Sequence, residues 1–134
     1  MKPSVLMLFA ALMVTSTTAH GGRESYHCSV SELYELQSDG KMGKSPWNSR
    51  REPIKFSVDR LDGRIIGGNL FANSTAQSVR VLNRGDSEWG FKVVTVWSEL
   101  REFQTLIVNE FVSGPKKPFK FSDSWGRVYA GTCE

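Results

Sequence analysis

The sequence predicts a mainly β fold: a small antiparallel β-barrel or sandwich of about eight strands, closed by one disulfide. Three observations carry this. Short segments rich in β-branched and aromatic residues recur along the chain, and turn signals separate them. Apolar and polar residues alternate with a period of two in Ile54-Lys55-Phe56-Ser57-Val58 and in Val79-Arg80-Val81-Leu82. Two cysteines, Cys28 and Cys133, stand at the start and the end of this array.

In chain order, strands are expected near Tyr26–Val30, Leu33–Leu36, Ile54–Val58, Arg64–Ile66, Ser78–Leu82, Phe91–Trp97, Gln104–Phe111, Phe119–Phe121 and Val128–Thr132. Asp39-Gly40, Asp62-Gly63, Arg84-Gly85-Asp86, Ser113-Gly114-Pro115 and Trp125-Gly126 punctuate them. An Asp-Gly pair suits a hairpin turn because glycine enters positive φ without a Cβ clash. Helix is the alternative at Ser29–Leu36 and Ser98–Phe103, where Glu, Leu and Arg are frequent. Ser38–Pro53 stays polar for its whole length and reads as a long loop, as does Asn69–Gln77.

Before the array comes an export segment. Lys2 supplies a positive start, Val5–Val14 is apolar, and Thr15–Ala19 is built of small residues. Ten apolar residues span only about 15 Å as a helix, half of a hydrocarbon core of about 30 Å. Residues 1–19 are therefore expected to be a signal peptide. Residues 20–134 are expected to form a single β domain, periplasmic or secreted, with no membrane span. In an oxidising compartment Cys28 and Cys133 are expected to pair, joining the first and last strands.

The 134 residues carry a formal net charge of +3, and Arg50-Arg51 and Lys116-Lys117 are the densest basic clusters. That bias is too small to argue for nucleic acid, and none is expected as a partner. Chemistry-bearing patterns are scarce. There is no GxSxG, no P-loop and no GxGxxG. His20 would begin the mature chain, and His27 is the only other histidine for a copper-chelating pair; a frayed terminus is the preferred reading. Asp59-Arg60-Leu61-Asp62-Gly63-Arg64 lacks the further ligands of a calcium loop and reads as a charged turn. Glu99, Glu102 and Glu110 are acids by type alone, without a pattern that makes them a hydrolase pair. Asn73-Ser74-Thr75 fits a glycosylation sequon and is read as coincidence. The expectation is a protein without enzymatic activity, metal or cofactor.

Aromatic residues in loops remain. Trp97 lies in an apolar strand, whereas Trp47 and Trp125 lie among Ser, Asn, Asp and Gly. Such rings stack on sugars, anchor a partner protein, or plug the open ends of a small barrel. Trp47, Arg50, Arg51 and Trp125 are the candidate binding residues.

The early Cys28, the Phe56-Ser57-Val58-Asp59-Arg60 segment leading to Gly63 and Gly67, and the closing Val128-Tyr129-Ala130-Gly131-Thr132-Cys133 resemble small exported bacterial two-cysteine β-proteins. Size and cysteine plan are also similar to the C-type lysozyme inhibitors, barrels that insert a loop into the lysozyme cleft. Their Ser-Gly-x-x-Tyr loop signature is absent, so the resemblance implies a layout and no site residues. The resulting expectation is binding, first to a protein partner through Ser38–Pro53. A carbohydrate or cell-envelope binder is the second expectation and a small hydrolase the third. A clustered pair of exposed tryptophans favours carbohydrate; one protruding loop with a single aromatic favours protein.

Overall fold

The computed structural model describes residues 24–49, 52–97 and 102–134. These form nine antiparallel strands: β1 (Ser25–Leu36), β2 (Met42–Lys44), β3 (Lys55–Asp59), β4 (Ile65–Gly67), β5 (Ser78–Arg84), β6 (Phe91–Trp97), β7 (Glu102–Val108), β8 (Lys117–Asp123) and β9 (Arg127–Cys133). Their order is β4-β3-β1-β9-β8-β7-β6-β5, with β2 paired to the end of β1. The expected export segment and His20 lie outside the described residues.

Alternation explains the shape. Along β6, Phe91, Val93 and Thr95 are buried and the residues between them are not; β7 repeats this at Leu106 and Val108, and β8 at Phe119 and Phe121. One face of the sheet is thus largely apolar, and curling that face inward is the way to remove it from water. The sheet curls into a half-barrel until the β3–β4 turn reaches β5. A Cβ at Gly63 would stand 3.0 Å from methyl groups of both Val79 and Val93. Arg60 Nη2 donates to the carbonyl of Arg84 at 2.8 Å across the same gap.

The expected break between Val30 and Leu33 is a bulge within one strand. The β1–β9 register shifts between Val30 and Glu32. Ser31 is the extra residue, so Tyr26, Cys28 and Val30 face inward before it and Leu33 after it. A parity change of this kind mimics two strands in the sequence. It also rules out the helix considered for Ser29–Leu36.

Asp59-Arg60-Leu61-Asp62-Gly63-Arg64 is the expected charged turn. Asp59 Oδ1 accepts from the N–H groups of Leu61 and Asp62, Asp62 Oδ1 accepts from Arg64, and Gly63 has φ +76°. The carboxylates are consumed by the backbone.

Cys28 and Cys133 are disulfide-bonded, with Cα atoms 3.9 Å apart. They face each other directly across β1 and β9. Their neighbours His27 and Glu134 exchange both backbone hydrogen bonds, which leaves the cysteines in the closely spaced non-hydrogen-bonded position.

Two expected loops are partly ordered into the body. In Ser38–Pro53, β2 and a 3₁₀ turn at Pro46–Ser49 replace the free loop. In Asn69–Gln77, Phe71 enters the core: it stacks on Phe56 at 4.8 Å and meets Phe121 and Tyr129 edge-on at 4.5 and 4.9 Å. Asn73 follows it inward and is 2% exposed. Its Oδ1 accepts from Ile65 N–H at 2.7 Å, and its Nδ2 donates to the Gly63 carbonyl and to Thr95 Oγ1. This amide closes part of the gap between β4 and the inner face of β6. Its burial leaves no room for a glycan in the folded chain. Asn73→Ala is expected to lower stability by about 3 kcal/mol, because buried backbone groups lose their partners. A urea unfolding curve within about 0.5 kcal/mol of the parent would contradict this role.

Candidate functional site

The two ends of the half-barrel differ. One carries the β3–β4, β5–β6 and β7–β8 turns and is packed shut. There Tyr26 Oη donates to Glu110 Oε2, and Lys117 Nζ donates to the carbonyls of Glu110 and Val112. Glu110, one of the acids considered for hydrolysis, is thus engaged in structure. Glu99 lies outside the described residues.

The opposite end gathers the last residues of β1, β6 and β8 and the first of β7 and β9. It is open. Trp47, Leu70 and Trp125 are 54%, 53% and 70% exposed there. Neither tryptophan plugs the fold. Three adjoining hollows indent this end. The first, about 190 Å³, is bounded by Trp47, Leu70, Glu35, Glu52, Tyr129 and Arg127. The second, about 260 Å³, lies between Trp97, Leu70, Trp125, Glu102 and Arg127. A shallower third runs past Glu35, Leu36, Trp125 and Arg127. Arg127 borders all three, and Leu70 separates the first two.

Each aromatic is held by its own local structure. Trp47 rides on the 3₁₀ turn beside β1. Asn48 next to it bonds both backbone groups of Leu33, accepting the N–H at 2.6 Å and donating to the carbonyl at 2.8 Å. Ser45 is buried, with Oγ donating to Glu35 Oε1 at 2.8 Å. Farther out, Lys44 pairs with Glu32 at 3.0 Å, and this bond holds the Glu32 carboxyl below its ordinary pKa. Trp125 sits in the β8–β9 turn, where Gly126 takes φ +78° and its carbonyl accepts from Leu36 N–H. Asp123 organises that turn: its Oδ1 accepts from the N–H groups of Trp125 and Arg127, both at 3.0 Å.

Beneath the rim a polar layer crosses the inner face. Register pairs Glu35 with Arg127, Gln104 with Asp123, and Thr95 with Gln104. Arg127 Nε meets Asp123 Oδ2 at 2.7 Å. Below this layer the inner face is apolar. There burial raises the Tyr129 phenol above its ordinary pKa, against the opposing charge of Arg127. Among the described residues, the indole N–H of Trp97 and the amide oxygen of Gln104 are shielded from solvent with no hydrogen-bond partner.

Of the expected site residues, Trp47 and Trp125 come to the same end although 78 positions separate them in sequence. Arg50 and Arg51 lie outside the described residues. Sequence reasoning passed over Arg127, Glu35 and Leu70. Arg127 follows Trp125-Gly126, and a charged residue after a turn ordinarily signals solvent; only the register places it inside. Among the described residues no group of His, Cys, Asp and Glu suits a metal ion, and no helix is long and apolar enough to cross a membrane. Comparison of the chain with family models, with curated proteins and with solved structures finds no match.

Proposed function

We propose that the protein is an exported binding protein without catalytic chemistry, and that it takes carbohydrate at the tryptophan-rimmed end of the half-barrel. The observation that carries this reading is the placement of Trp47 and Trp125 on adjoining hollows that share Arg127 and Leu70. Sugar rings present flat faces of C–H groups edged by hydroxyls. Exposed indoles offer the matching apolar face, and the polar groups between them offer donors and acceptors.

A protein partner reached by one inserting loop is the weaker reading. The described part of Ser38–Pro53 is tied to β1 through Ser45 and Asn48, and its tryptophan is one of a pair. The disulfide and the lack of a membrane-crossing helix among the described residues fit an extracellular or periplasmic setting.

The test is retention on a panel of insoluble and arrayed glycans, repeated with Trp47→Ala and Trp125→Ala. Each variant is expected to keep its melting temperature and to lose about 2 kcal/mol of binding, close to thirtyfold. Wild-type protein that retains no glycan, or variants that bind as well as wild type, would refute the proposal. A melting temperature that falls steeply in Trp47→Ala would reassign that ring to the fold.

A further inference from the structure

Arg127 is built as a positioned donor. Its side chain is one-third exposed, while that of Asp123 is 4% exposed. Asp123 spends both carboxylate oxygens on this turn, one on backbone N–H groups and the other on Arg127 Nε. A guanidinium gripped at Nε is fixed in plane, and the outer N–H of each of its two Nη groups then points onward along the side-chain axis. Among the described residues, neither Nη has a hydrogen-bond or ion-pair partner. Glu35, across the ladder from Arg127, turns to Ser45. Arg127 borders all three hollows.

The surroundings are acidic. Glu35 and Glu52 line the first hollow and Glu102 the second, and among the described residues none of these three has an ion-pair partner, whereas Glu32, also on the first hollow, is paired with Lys44. Hydroxyl groups suit such a site because each one both donates and accepts. Their oxygens take the Arg127 fork and their protons go to the carboxylates. A uronate, sulfate or phosphate on the ligand would also find the fork. It would have to approach the carboxylates of Glu35 and Glu52 in the first hollow or that of Glu102 in the second, and like charges repel.

We infer that Arg127 is the polar anchor of the site and that the site selects neutral, hydroxyl-bearing glycans over acidic ones. This rests on the carbohydrate reading above and goes beyond it in naming the ligand class and the residue that sets it.

Matched pairs test it. Polygalacturonate and its fully methyl-esterified form share a backbone and differ in charge; cellulose and oxidised cellulose bearing glucuronate do the same for a second backbone. Binding of wild type, Arg127→Gln and Arg127→Lys is measured by affinity electrophoresis in gels cast with each polymer. An Arg127→Gln/Asp123→Asn double variant removes the ion pair without stranding the Asp123 carboxylate, and thermal melts accompany all four proteins. The neutral member of at least one pair is expected to bind at least tenfold more tightly than its acidic partner. Arg127→Gln and the double variant are expected to lose at least tenfold of that binding with a preserved fold. Arg127→Lys should not restore it, because an ammonium has no fork. Equal or tighter binding of the acidic members overturns the inference, as does a folded double variant that binds neutral polymer like wild type. If binding depends on Trp47 and Trp125 but not on Arg127, the inference fails and the carbohydrate reading stands. If wild type binds no glycan, both fall.

Discussion

Replacing Cys28 and Cys133 together by alanine is expected to lower the unfolding free energy by about 3–5 kcal/mol and the melting temperature by about 10–20 °C. The bond joins residues 105 positions apart, so it removes from the unfolded chain the freedom to separate its two ends. Loop-closure entropy grows only slowly with length, but a loop of this size lies near the top of its range. The disulfide also crosses the β1–β9 ladder, in the middle of the strand order, so its loss is felt on both halves of the sheet. Alanine avoids burying a hydroxyl, since both cysteines are almost inaccessible. Differential scanning calorimetry of the double variant beside the parent measures the effect. Free thiols in native protein taken from the oxidising compartment, or a melting temperature within about 2 °C of the parent, would contradict it.

Gly131→Ala is expected to cost about 3 kcal/mol or more, from overpacking against main chain that has no room to give. Gly131 pairs with Val30 on β1 and with Phe119 on β8. A Cβ there would run into the Ser29 carbonyl oxygen and lie 2.9 Å from the Phe119 ring. The ring has room to shift, but the carbonyl does not without opening the ladder beside the Ser31 bulge and close to Cys28. Contrast Gly43, where a Cβ would meet only the flexible side chain of Gln37 on the rim hairpin. Gly43→Ala is therefore the fitting control, expected to stay within about 1 kcal/mol of the parent. Urea midpoints for the two variants decide the matter: similar midpoints would mean that β1 and β9 can part at Gly131 without loss.

Much of the architecture was legible in the residues. The period-two pattern identified the strands, because only one face of an antiparallel sheet needs to be apolar. Asp62-Gly63 and Trp125-Gly126 marked turns because both glycines occupy left-handed φ. The cysteine pairing followed from two thiols at opposite ends of a chain expected to be exported. Three features misled the reading. The Ser31 bulge reverses which residues face inward and so looked like a strand break. The three-residue β2 is too short to show alternation. Phe71 and Asn73 sit in a segment with loop composition, yet they fill the core and close its gap.

The site was legible only in part. Loop composition singled out Trp47 and Trp125, because indoles among small polar residues lack a core to enter. Nothing in the sequence brings them together; the strand order does, by setting the β1–β2 and β8–β9 hairpins at one end of the half-barrel. Arg127 was hidden for the same reason. Its inward aim and its grip by Asp123 are consequences of register, a long-range pairing that local composition does not encode. The sequence by itself determined the strands, the turns and the bond that ties the ends. The tertiary structure alone decided which end is open and which charged side chain faces into it, because those depend on how distant strands align.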